Sequence, residues 1–167
     1  MFTGPPGAGK TAVLEALSDA LCAEDVRHAT VEVEALTSAH PPLDDAQWPA
    51  PVDAVCGLYR RFGYELLLVT VTVESEADLR AALGAIGADE HVVVRLHAEP
   101  STLRRRIIER EPDTFTELDE LVAAAARLSP VIAGIHGIAF AFSTDGERPA
   151  AVAERIRDAW PAKLRPA

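Results

Sequence analysis

The residues best suited to chemistry come first in the chain, in Gly4-Pro5-Pro6-Gly7-Ala8-Gly9-Lys10-Thr11. Gly4, Gly9, Lys10 and Thr11 fill the four fixed positions of G-x-x-x-x-G-K-[ST], the phosphate-binding loop, and Gly7 adds a third flexible backbone position. Glycines let successive N–H groups turn inward around an anion. An ammonium at Lys10 then reaches β- and γ-phosphates, and the Thr11 hydroxyl is a ligand for Mg²⁺. The expected contacts to a nucleoside triphosphate are therefore Gly4, Pro5, Pro6, Gly7, Ala8, Gly9, Lys10, Thr11 and Ala12, with Thr11 on the metal. Lysine usage agrees: 14 arginines are accompanied only by Lys10 and Lys163, so a chain that avoids lysine has placed one where an ammonium is required.

Phosphoryl transfer also needs a group to orient or deprotonate the acceptor, and positive charge to meet the spreading negative charge of the transition state. Glu32 and Glu34 lie two apart in an alternating, β-branched stretch, His28–Glu34, which puts them on one face with Glu34 at the carboxyl end. Glu34 is the better candidate to meet an acceptor hydroxyl; solvent-facing carboxylates on an edge strand are the alternative. Arg106 and Arg110 are four apart on one helical face, where like charges repel unless an anion visits, although Arg110 also complements the helix dipole. The apolar run Leu66-Leu67-Leu68-Val69 is followed by Thr70 rather than an acid, which argues against a motor-like ATPase and leaves Thr70 or Thr72 to hold a metal-bound water. Ser143-Thr144-Asp145-Gly146 suits either an adenine subsite or a plain turn. His40, Trp48 and Tyr59 are candidates for an acceptor pocket.

Helices and strands must alternate to position these groups. Ala12–Leu21 reads as a helix opened by the loop, with its positive end toward the phosphates. Strands are expected at 28–34, 64–73, 91–97 and 138–142. Helices are expected at 52–62, 74–86, 100–111, 117–128 and 149–160, the penultimate one introduced by a Thr114-x-x-Glu117 capping box. Ala35–Pro51, with four prolines, reads as a long functional loop, and Glu111–Phe115 as a short hinge. Alternation of this kind implies a parallel sheet with right-handed crossovers: an α/β, three-layer α/β/α sandwich of five strands, with ligands at the carboxyl ends. Only Met1-Phe2-Thr3 precede the loop, where a buried central strand of about five residues is usual, so the expectation is that the true start lies upstream.

A chain of 167 residues suits one domain over 1–167. A net charge of -10 opposes non-specific attachment to nucleic acid or anionic membrane. There is neither an apolar run of about 20 residues nor a basic and apolar leader at the start, so a cytoplasmic protein is expected. Cys22 and Cys56 form no metal-ligand spacing and read as reduced, mostly packed thiols, and the five histidines are scattered.

Together, the loop at Gly4–Thr11, the Glu32-Val33-Glu34 strand end, Leu103-x-x-Arg106-x-x-x-Arg110 and Ser143–Gly146 before a helix resemble the small P-loop kinases. Nearest in pattern are the adenylylsulfate kinase and chloramphenicol phosphotransferase relatives, often labelled AAA-type ATP-binding proteins. The resemblance implies a nucleoside-monophosphate-kinase-like fold of strand order 2-3-1-4-5, ATP and Mg²⁺ as cofactors, Glu34 on the acceptor hydroxyl, and Arg106 and Arg110 as phosphate-contacting arginines of a lid. Many relatives carry aspartates where this chain has Glu-x-Glu. The expected function is an ATP-dependent kinase acting on a hydroxyl of a small molecule, as a monomer or homodimer, with Lys10, Glu34, Arg106 and Arg110 as catalytic residues. The alternative is a nucleotide-dependent regulatory module without phosphotransfer.

Overall fold

The computed structural model describes residues 1–112 and 114–160. Five parallel strands, β1 (Phe2–Thr3), β2 (His28–Glu32), β3 (Leu66–Thr70), β4 (Val94–His97) and β5 (Phe140–Ser143), form one sheet in the order β2-β3-β1-β4-β5. This is the strand order implied by the resemblance. Among the described residues seven helices accompany the strands: α1 (Lys10–Ala23), α2 (Val33–Leu36), α3 (Pro49–Arg61), α4 (Glu76–Ile86), α5 (Pro100–Arg110), α6 (Leu118–Ala133) and α7 (Pro149–Ala159).

Strand periodicity divides the core into two layers. Leu68 and Val94 join Leu14, Leu17, Leu103, Val152 and Ile156 of α1, α5 and α7 on one face, whereas the adjacent Val69 and Val93 join Val52, Cys56, Leu79 and Ile86 of α3 and α4 on the other. Such two-sided burial explains why β3 reads as an unbroken apolar run. Local signals set the helix ends. Ser75 caps α4 by accepting from the Asp78 N–H at 3.1 Å, and Gly87, at φ 63°, closes it through a hydrogen bond to the Leu83 carbonyl. Prolines open α3, α5 and α7.

Several boundaries differ from the sequence reading. The second strand stops at Glu32, where pairing to β3 ends at Thr70. The Thr37 N–H and hydroxyl then both donate to the Val33 carbonyl and close the helical turn α2, so Glu34 is not on a strand. The stretch expected to be loop at 35–51 therefore begins in that turn and ends in the first turn of α3. Helix α6 runs on to Ala133 through Pro130, with the Ser129 hydroxyl bonded to the Ala125 carbonyl. No side chain caps the α6 start, so the box expected at Thr114 and Glu117 does not form. Within the expected hinge at 111–115, Asp113 lies outside the described residues. Cys56 is buried but Cys22 is exposed, against the expectation of packing for both.

Candidate active site

Strand β1 delivers the chain directly into the loop at the carboxyl ends of the strands. Gly4, at φ 151°, passes so close to β4 that a Cβ there would lie 2.3 Å from the Leu96 carbonyl oxygen. Gly7, at φ 79°, also passes closely over α5, its would-be Cβ 2.8 Å from the Leu103 carbonyl oxygen. Sheet and α5 thus mould the loop, and only glycine fits either position.

Gly9 caps α1 at φ 84° with no side-chain acceptor, and the first intrahelical bond joins the Val13 N–H to the Gly9 carbonyl at 3.0 Å. The amides of Lys10, Thr11 and Ala12 are left without an intrahelical acceptor, aimed off the positive end of a 14-residue helix. This is the geometry of an anion site.

Lys10 curls back over the loop. Its Nζ donates to the Gly4 carbonyl at 3.0 Å and lies 3.9 Å from Glu34 Oε1, with the side chain only 12% exposed. Burial pulls its pKa below the ordinary lysine value; Glu34 and Glu32 oppose that fall, while Arg110 adds to it. That coupling puts both glutamates and Arg110 within electrostatic reach of the ammonium.

The two glutamates do different things because β2 ends between them. Glu32 accepts the Thr11 hydroxyl proton at 2.6 Å. Glu34, from α2, accepts both the Thr72 N–H and the Thr72 hydroxyl at 2.8 Å, so Thr72, just past β3, fixes its carboxylate beside Lys10. The sequence placed the two on one strand face and favoured Glu34. The pairing of Glu32 with Thr11 was missed, although Glu32 stands at the end of the strand nearest the loop.

Arg106 and Arg110 do not act as a matched pair. Arg106 is pinned: Nη1 donates to the Thr144 hydroxyl at 2.8 Å and the Gly7 carbonyl at 3.3 Å, and Nη2 donates to the Thr144 carbonyl at 2.7 Å. It thereby ties α5 to the phosphate loop and to the turn after β5. Thr144, buried, also donates toward the Ala8 carbonyl, and Asp145 accepts the Glu99 N–H at 2.8 Å, so this turn is built into the site's floor. Arg110, a turn further along, is largely exposed and pairs with Glu111.

Thr70, offered as a holder of a metal-bound water, is buried with its hydroxyl oxygen lacking a partner, and Thr72 is engaged by Glu34. Tyr59 stacks edge-on against Tyr64, just before β3, which puts it at the opposite end of the sheet from the loop and outside any acceptor pocket there. His40 is exposed and Trp48 half-buried. Among the described residues no helix is long and apolar enough to cross a membrane.

No family model matches the chain, and no curated protein matches it in sequence. Solved structures do match it in fold, and several of them are small-molecule kinases. A sugar kinase from Janibacter sp. HTCC2649 superposes with a TM-score of 0.67 at 16% identity over 94% of this chain and 90% of its own. The tunicamycin resistance protein of Deinococcus radiodurans gives 0.64 at 20% identity over 95% and 93%. The APS kinase CysC of Mycobacterium tuberculosis, solved with AMPPNP and APS, gives 0.56 at 16% identity over 94% and 93%. The chain has the P-loop kinase fold.

Proposed function

We infer that the protein is an ATP-dependent kinase transferring the γ-phosphoryl group to a hydroxyl of a small molecule. The observation that carries this reading is the Glu34 carboxylate, held by Thr72 and 3.9 Å from the Lys10 ammonium. A nucleotide-binding loop alone needs no second carboxylate there; a transferase needs one to receive or align the attacking hydroxyl. Fold neighbours that include sugar, shikimate and APS kinases support the same class.

In this reading the amides of Lys10, Thr11 and Ala12 and the Lys10 ammonium hold the phosphates, Arg106 keeps the loop in shape from below, and Arg110, exposed one turn on, supplies charge at the transferring group. The oxygen pair of Thr11 and Glu32 is the donor set a hard cation prefers, and these residues would hold Mg²⁺, which supplies charge neutralisation on the phosphate oxygens when bound. Glu34 orients the acceptor hydroxyl and takes up its proton. The acceptor enters between the 41–51 segment and the segment after α5.

The decisive experiment is a thermal-shift screen of nucleotides with Mg²⁺, followed by a metabolite panel scored for ADP release. Millimolar ATP and GTP leaving the melting temperature unchanged is the result that rejects the reading. Glu32→Gln is expected to lower nucleotide affinity about 10-fold with Mg²⁺ present and to leave it unchanged in EDTA, because the residue would act on the metal rather than on phosphate. Titrations in both buffers measure this.

Lys10 gives a pH dependence of defined sign. Polyphosphate favours the charged ammonium, whose pKa in the free protein is lowered by burial. Affinity is therefore full below that lowered value and falls as pH rises through it, at a lower pH than an ordinary lysine would give. Lys10→Arg, permanently charged, is expected to remove the decline in titrations from pH 7 to 10.

A further inference from the structure

Ser18 and His28 form a hydrogen-bonded pair that the phosphate site does not use. Ser18 Oγ lies 2.7 Å from His28 Nε2, and His28 Nδ1 lies 2.8 Å from the Val26 carbonyl oxygen. Ser18 stands two helical turns beyond Thr11 on α1, about 10.5 Å along the axis, and His28 opens β2 at the end of the strand away from the phosphate loop. Neither a nucleotide in the loop nor an acceptor at Glu34 accounts for the pair.

The Val26 carbonyl decides where the protons sit. A carbonyl oxygen only accepts, so Nδ1 carries the ring hydrogen, and in the neutral imidazole Nε2 is left with its lone pair. The Ser18 hydroxyl therefore donates to Nε2. A helical serine commonly turns its hydroxyl back on the carbonyl four residues earlier, as Ser129 does on Ala125. Ser18 directs its one hydrogen at a base instead, and a third group holds that base in tautomer and orientation, which is the arrangement that activates a hydroxyl nucleophile. The pair is half-buried but lies at the rim: β2 is an edge strand, and Glu15, Asp19 and Cys22, around Ser18 on α1, are exposed.

We propose that Ser18 is a nucleophile, with His28 as its general base, that takes an acyl group from uncharged, activated carboxylic esters or thioesters. Ser18 Oγ forms a bond to the acyl carbon as the bond from that carbon to the leaving oxygen or sulfur breaks. The hydroxyl proton passes to Nε2 and from there to the leaving group, so that one ester is made for each ester or thioester consumed. Nδ1 keeps its hydrogen on Val26 throughout. Charge selects the electrophile: Glu15 and Asp19 flank Ser18, and Glu24 and Asp25 follow at the helix end, which repels anionic phosphoryl donors and leaves a neutral carbonyl unopposed. None of this depends on phosphoryl transfer.

The test treats the full chain with p-nitrophenyl acetate and reads p-nitrophenolate release together with peptide masses. Ser18 is expected to gain one acetyl group at least about 100-fold faster than Ser38 and Ser101, two exposed serines in the same sample. His28→Gln keeps an acceptor for the Ser18 hydroxyl while removing the base, and is expected to slow acetylation of Ser18 by about 100-fold with the fold intact by circular dichroism. Ser18→Ala is expected to remove the label. Equal acetylation of Ser18, Ser38 and Ser101 would overturn the proposal, as would a label confined to Cys22 or an unchanged Ser18 rate in folded His28→Gln. Should that variant fail to fold, the unaltered chain in D2O decides. A slowing of about twofold at Ser18, the mark of a proton moving during attack, upholds the pair, and no slowing rejects it.

Discussion

Lys10→Ala is expected to abolish the nucleotide-dependent rise in melting temperature and to lower turnover by about 10³-fold, whereas Glu34→Gln retains nucleotide binding and loses turnover by roughly 10²- to 10⁴-fold. Lys10 is the cation inside the loop, bonded to the Gly4 carbonyl and shielded from water, so its charge acts on phosphate at low effective dielectric. Alanine removes that charge from substrate and transition state alike. Glu34 touches the loop only through Lys10, and glutamine keeps an oxygen for Thr72 while removing the basic carboxylate. Turnover is read as ADP release with an acceptor from the panel, and affinity by titration calorimetry. A regulatory nucleotide-binding module is the outcome if Glu34→Gln leaves ADP release unchanged while Lys10→Ala abolishes binding. Thr70, at the end of β3 where a motor-like ATPase would carry an acid, gives that reading its one point of support.

Gly4→Ala is expected to destabilise the fold by on the order of 3 kcal/mol, a fall in melting temperature of about 10 °C. Two effects combine. A φ of 151° is a conformation side chains rarely take, and the new Cβ would overlap the Leu96 carbonyl oxygen, which belongs to the β4 backbone and has nowhere to go. Gly9→Ala is the control. Its would-be Cβ meets only Arg106 Nη1, at 3.9 Å, so the strain of φ 84° is all that remains, about 1 to 2 kcal/mol. Denaturant unfolding of the two variants side by side measures the difference, and equal losses would show that close packing against β4 contributes nothing.

The fold was readable in the sequence wherever local signals and burial agreed. The loop, the run Leu66–Val69, the prolines that open α5 and α7 and the leucines of α1 all report the environment they occupy. Boundaries were less legible because strand length depends on the neighbour. Val33 and Glu34 continue a β-branched alternation, yet β2 ends where β3 stops pairing with it, and nothing within residues 28–34 encodes that limit. The same blindness divided the site. Spacing put Glu32 and Glu34 on one face; tertiary structure sends one to Thr11 and the other to Thr72. Arg106 read as an anion partner because it shares a helical face with Arg110, where like charges repel, while Thr144, 38 residues away, is what holds it. The buried position of Thr144 had no local signal beyond its place after a strand.

The carboxylate resting beside Lys10 gives the nucleotide-free protein a built-in competitor. Glu34 partly neutralises the ammonium, so on the proposed reading a small anion of one or two charges must displace it and gains little, whereas a triphosphate brings more charge and more contacts. The resting loop should consequently ignore inorganic phosphate at concentrations that would otherwise clog it, and blunting that carboxylate should make the loop indiscriminate.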